Sequence, residues 1–139
     1  MSGVEHEAFA SPLTLLDQWR GLADGPPLRE MVVLGFTHDL PFLERFALSG
    51  ARQLGARITV LADGGQARHD VVDVRFAGHG YQYGVTATRG AFHPKLVVLL
   101  GDEHVWLAIG SGNPTMSGWG HNQELWCILR GTTQVGLRA

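Results

Sequence analysis

His93-Pro94-Lys95-Leu96-Val97-Val98-Leu99-Leu100 is followed, after a turn, by Val105-Trp106-Leu107-Ala108-Ile109-Gly110-Ser111-Gly112-Asn113. Two short apolar runs separated by a turn read as neighbouring strands. Residues two apart in a strand share a face, so His93 and Lys95 stand side by side. Pro94 faces away, and its missing N–H suits a strand's first residues. If Lys95–Leu100 and Val105–Ile109 pair as a hairpin across Gly101–His104, the start of one strand lies beside the end of the other. Ser111 and Asn113 then come next to His93 and Lys95. Glu124 stands eleven residues after Asn113, at the head of another apolar run, Glu124–Leu129.

The residue types are informative. Lys95 is the only lysine, and the other ten basic residues are arginine. An ammonium is a compact point charge where a guanidinium is a planar fork. An imidazole, an ammonium, a hydroxyl and a carboxamide around one point suit a phosphate. The lysine supplies charge, the asparagine and backbone amides donate, and the histidine can attack phosphorus. The glycines of Gly110-Ser111-Gly112 let the backbone approach a ligand closely.

Outward from this centre, residues 1–10 read as a loose tail. Ser11-Pro12 opens a short helix through Leu13, Leu15, Leu16, Trp19 and Leu22, spaced for one apolar face. After the break Asp24-Gly25-Pro26-Pro27, Met31–Phe36 is a buried strand. Asp39 is an N-cap for a helix reaching about Leu54, with Gly55 as its stop. Arg57–Ala62, Val71–Phe76 and Tyr81–Thr88 are further strands, and Pro114–Ser117 starts a short helical turn. The order strand, helix, strand, then a run of strands gives an α/β fold, a mixed sheet with helices packed on it. Residues 1–29 form the tail and short helix, and residues 30–139 form the domain that carries the chemistry.

Bulk properties narrow the class. At 139 residues with 45% hydrophobic content, the chain is one domain or part of one, with a real core. A net charge of −2 is not the basic signature of a dedicated nucleic-acid-binding domain. The single cysteine, Cys127, excludes an internal disulfide and fits a reducing cytoplasmic setting; its apolar context reads as a buried small hydrophobe. No signal peptide or membrane-spanning run is visible, so no membrane association is expected.

His93-Pro94-Lys95, Gly110-Ser111-Gly112-Asn113 and Asn122-Gln123-Glu124 together resemble the phospholipase D superfamily, over about residues 30 to 130. Many members carry an aspartate five residues after the lysine; here that position is Leu100, and Asp102 lies two residues later. This absence, a hairpin about three residues longer than in lipid-cleaving members, and the glutamate further on are similar to the nuclease-type branches. Those include metal-independent restriction endonucleases; the tyrosyl-DNA phosphodiesterases also lack the aspartate.

The resemblance implies a phospholipase D-like fold and a metal-independent phosphodiesterase, a nuclease acting through a phosphohistidine on nucleic acid, with DNA favoured over RNA. One histidine attacks and a second protonates the leaving oxygen. By the same resemblance His93 is the nucleophile or acid/base, Lys95 and Asn113 hold the non-bridging oxygens, and Ser111 assists. Glu124 hydrogen-bonds a histidine ring nitrogen. No metal or other cofactor is implied. The chemistry needs two motifs and this chain has one. A homodimer sharing the site on its dyad, or a second half in a longer chain, would supply the other. A bacterial restriction or phage-defence setting is implied by the family. The alternatives are a noncatalytic module that binds nucleic acid or dimerises within a larger defence or helicase-type protein, and a phospholipase.

Around this set, Arg89 is the arginine placed to touch a phosphate backbone. Gly110 and His121 border the site, although His121 also reads as an exposed loop residue. His79 and Tyr81-Gln82-Tyr83 read either as the flank of a substrate groove or as a solvated sheet edge. His38, in Thr37-His38-Asp39, ends the first strand where α/β sheets often contact ligands. His6, His69, His104 and Cys127 have no zinc-ligand spacing.

Overall fold

Of the seven segments read as strands, six become strands among the described residues. The computed structural model describes residues 11–66 and 73–132. Its strands are β1 (Leu28–Gly35), β2 (Arg57–Asp63), β3 (Gln82–Thr86), β4 (Leu96–Gly101), β5 (His104–Gly110) and β6 (Trp126–Thr132). They form one mixed sheet in the order β3-β2-β1-β4-β5-β6. β1, β2 and β3 run parallel, while β4, β5 and β6 pair antiparallel in succession.

Helix α1 (Pro12–Arg20) starts where Thr14 Oγ1 accepts from the Ser11 N–H at 2.9 Å. The second helical segment begins as α2 (Leu40–Leu43), continues as a π-helical turn over Glu44–Leu48 and ends as α3 (Ser49–Gln53). Asp39 caps it as expected, its carboxylate accepting from the Phe42 N–H at 3.0 Å. Gly55, at φ 95°, takes the left-handed conformation that stops it.

Leu15, Leu16 and Trp19 of α1 and Leu40, Leu43, Ala47, Leu48 and Ala51 of the second segment share one core with a face of the sheet. That face contributes Met31, Val33, Ile58, Val60, Val97, Leu99, Trp106 and Ala108. Trp19 is fully buried, edge-on to Trp106 at 5.1 Å, and its indole N–H donates to the Pro26 carbonyl at 3.2 Å. Truncating such a side chain to alanine costs about 3–5 kcal/mol. β1 begins at Leu28, so residues 28 and 29 already belong to the sheet.

Several expectations need correction. Residues 73–76 form no strand, and Val71-Val72 lie outside the described residues, as do His6 and His69. Tyr81 enters only an isolated bridge with Ala77. The helical turn near Pro114 comes later, at Ser117–His121, and β6 starts at Trp126, so Glu124 sits in the loop before it. Cys127 is exposed because it pairs with Ile109, itself 47% exposed, on the sheet face opposite the core. Among the described residues no helix is long and apolar enough to cross a membrane.

Candidate functional site

Strand register decides which residues meet. Leu34 pairs with Leu96, Leu96 with Ile109, and Ile109 with Cys127, while Leu34 also faces Leu61 across the parallel pair. The ends of β1, β2 and β5 and the starts of β4 and β6 therefore lie along one edge of the sheet. Asp63, Phe36, His93, Lys95, Ser111, Asn113 and Glu124 all fall at or just beyond that edge.

The hairpin forms as the sequence predicts, with Asp102-Glu103 as its tip. The Gly110 N–H donates to the Lys95 carbonyl at 3.1 Å, which sets the 110–113 loop against the start of β4. Lys95 Nζ lies 2.9 Å from His93 Nδ1. An ammonium only donates, so in this arrangement Nδ1 accepts and a neutral His93 carries its proton on Nε2. The His93 ring packs on Phe36, with centroids 4.3 Å apart.

Asn113 turns its side-chain oxygen to the end of β1, accepting from the N–H groups of Phe36 and Thr37 at 3.3 Å each. Its amide nitrogen is left to donate elsewhere. The Ser111 hydroxyl donates to Glu124 and accepts from the Leu125 N–H at 3.0 Å. Glu124 also accepts from the Asn122 amide at 3.3 Å. The expected bond from Glu124 to a histidine ring is thus absent among the described residues. Glu124 precedes β6 and is held against the serine loop, while the His93 ring faces Lys95 and Phe36.

The glycines of this loop meet the protein's own chain. A Cβ on Gly110 would stand 2.4 Å from the Trp126 ring, and one on Gly112 would stand 2.3 Å from the Gly118 carbonyl oxygen. Gly110 is where Trp126 packs, which accounts for the glycine without a substrate. Arg89 is exposed four residues before His93 and has no hydrogen-bond partner among the described residues. His121, at the end of the Ser117–His121 turn, is likewise exposed.

Other candidates go elsewhere. Asp102 forms a two-point ion pair with Arg29, at 2.9 Å for each contact, which holds its carboxyl below the usual range. It lies beyond the far end of β4, whose six residues alone span about 20 Å at strand rise, so it does not replace the missing aspartate. Tyr81 is buried, with its hydroxyl donating to Glu44 at 2.9 Å. Tyr83 contacts the buried His38 ring at 2.7 Å. Both hydroxyls are thus engaged within the protein; Tyr81 is buried and Tyr83 half-buried. Among the described residues, no three His, Cys, Asp or Glu side chains converge to hold a metal.

Two residues of the edge escaped the sequence reading. Phe36 reads only as the last apolar residue of its strand, and Asp63 only as the start of a turn. Asp63 is 9% exposed, and its carboxylate accepts from Gly65 N–H at 2.8 Å and from Phe92 N–H at 2.7 Å. The available signal was a carboxylate ending an apolar strand, at the end of a parallel sheet where ligand sites collect.

No protein-family model and no curated protein matches this chain. Solved structures do share its fold. Nuc from Salmonella typhimurium, a phospholipase D family member, superposes with a TM-score of 0.64 at 13% identity, over 89% of this chain and 76% of Nuc. NucT from Helicobacter pylori gives 0.55 at 13% identity, over 89% of this chain and 77% of NucT. A mutant of yeast tyrosyl-DNA phosphodiesterase gives 0.55 at 19% identity, over 75% of this chain; the chain spans 26% of that protein.

Proposed function

We propose that this chain, whose fold is that of the phospholipase D superfamily, is one half of a metal-independent phosphodiesterase site that cleaves DNA. The observation that carries the reading is the Lys95–His93 contact at 2.9 Å, set beside the Gly110–Asn113 loop by the Gly110–Lys95 hydrogen bond. A phosphodiester entering there would draw the Lys95 ammonium onto a non-bridging oxygen. The Asn113 amide nitrogen would donate to the same group, since its oxygen is occupied by β1. Releasing the ammonium frees His93 to attack phosphorus or to move a proton. Attack forms an N–P bond as the leaving alkoxide departs and takes a proton from a second imidazole. Water then cleaves the N–P bond and returns the free histidine.

That second imidazole is the reason for proposing a homodimer: two-fold association brings a second His93 to the first, and a second half in a longer chain would do the same. Glu124 is then placed to steady the serine loop rather than this chain's own His93. A DNA substrate is favoured by the name of the yeast neighbour, which acts on tyrosyl-DNA, and a cytoplasmic restriction or defence role accords with this chemistry.

The test is cleavage of plasmid DNA in excess EDTA by the wild-type chain and by His93→Ala. Cleavage should persist with chelator and vanish with the substitution. Cleavage abolished by EDTA, or surviving His93→Ala, sinks the reading. Mass in solution tests the sharing: a dimer at micromolar concentration is expected, and a strict monomer that still cleaves removes it.

A further inference from the structure

We propose that Asp63 is a positioning residue for His93, acting through the backbone of Phe92. This rests on the reading of His93 as the reacting imidazole. Between β3 and β4 the chain runs through residues 87–95 without regular secondary structure, and His93 lies near the end of that run. A loop of this kind places a side chain loosely unless its backbone is tied to a rigid element.

Among the described residues, the hydrogen bond from Phe92 N–H to Asp63 Oδ2, at 2.7 Å, is the one tie from residues 87–94 to another strand. Thr88 closes only a local contact with the Gly90 carbonyl. The tie is a charge-assisted bond to a carboxylate, stronger than one between neutral groups. Its anchor is well chosen. Asp63 ends β2 in the interior of the sheet, between β1 and β3, and is 9% exposed. Its other oxygen accepts from Gly65 N–H at 2.8 Å, so the carboxylate is held from two sides.

The clamp works together with Phe36. In register beyond Gly35–Ala62, Phe36 extends β1 beside Asp63. One neighbour fixes the backbone before His93 and the other packs on its ring at 4.3 Å. Side-chain packing alone lets an imidazole slide, and a backbone tie alone lets it rotate. Together they restrict both motions of an otherwise exposed ring, which favours in-line approach of a nucleophile to phosphorus. An apolar residue at 63 would bury as well but hold nothing; an asparagine offers one acceptor where two N–H groups point.

The experiment uses Asp63→Asn, with Asp63→Ala as a second variant, each measured in two ways. Amide hydrogen exchange reads the clamp directly. Phe92 should exchange at least about 10-fold faster in both variants while Met31 and Leu99 in the sheet stay protected. Turnover of bis(4-nitrophenyl) phosphate reads the consequence. The kcat should fall about 10- to 100-fold, with KM within about 3-fold and the pH profile unmoved, since misplacement and not affinity or ionisation is altered. Unchanged Phe92 exchange, loss of protection across the whole sheet, or unchanged kcat overturns the proposal. A wild-type chain that cleaves no diester defeats the phosphodiesterase reading instead, and the exchange measurement then decides the clamp alone.

Discussion

The Asn113 side-chain oxygen accepts from both N–H groups that end the first strand, those of Phe36 and Thr37, at 3.3 Å each. The asparagine thereby closes the serine-glycine loop onto β1 and brings its amide nitrogen to the edge where His93 and Lys95 stand. The oxygen is structural and the amide nitrogen carries the proposed phosphate contact, so substitutions separate the two. Asn113→Asp keeps an acceptor for both N–H groups but donates nothing to a phosphate. Its thermal midpoint should stay close to wild type while kcat/KM on a diester falls at least about 10-fold. Asn113→Ala should lose activity and also about 1–3 kcal/mol of stability, from N–H groups left without a partner.

If His93 is the reacting imidazole as proposed, Phe36 should behave as a support for its ring. Phe36→Ala removes the surface on which His93 rests, 4.3 Å between centroids. Steady-state kinetics should show kcat down by roughly 10-fold with KM little changed, and Phe36→Tyr, which keeps the ring, should restore most of it.

Stability at alkaline pH should depend on Tyr81. Burial, and then the hydrogen bond to Glu44, raise its phenol above the ordinary 10.0. A group whose pKa is raised by folding contributes fully below its unfolded value and loses that contribution as pH climbs toward the folded one. Urea midpoints should therefore be flat up to about pH 10 and decline above it. Tyr81→Phe should flatten that decline while lowering the neutral-pH midpoint, because Glu44 loses a donor.

Glu44 itself holds a loop. Its carboxylate accepts from the N–H groups of Arg75 and Phe76 at 2.9–3.1 Å as well as from Tyr81. Glu44→Gln turns an NH2 toward donors and should cost about 1–3 kcal/mol in denaturant unfolding. Diester cleavage should survive below the new midpoint, because the loop lies away from the His93 edge.

Cys127 should react as a surface thiol. It is exposed on the face opposite the core, so native protein should titrate one thiol per chain with a disulfide reagent and no denaturant. Protection that disappears on dilution would instead show this face covered by association.

The legible part of this protein is what period and punctuation carry. Two-residue alternation, short apolar runs, the Asp39 cap and the Gly55 stop yield the strands, the second helix and the hairpin. With the hairpin come His93 and Lys95 beside the Gly110–Asn113 loop, since antiparallel pairing of adjacent strands is a local matter. Tertiary structure decided the rest. Whether Cys127 lies inside depends on which sheet face the helices cover, a choice no single strand encodes. Glu124 went to Ser111 because the loop before β6 folds back on the serine, and Asp102 went to Arg29 because the hairpin tip reaches the start of β1. Asp63 meets Phe92, 29 positions further along the chain, and Phe36 meets His93 across a pair of strands distant in sequence. Such contacts follow from sheet order and register, which are fixed by the whole core at once and leave no periodic trace in the residues that make them.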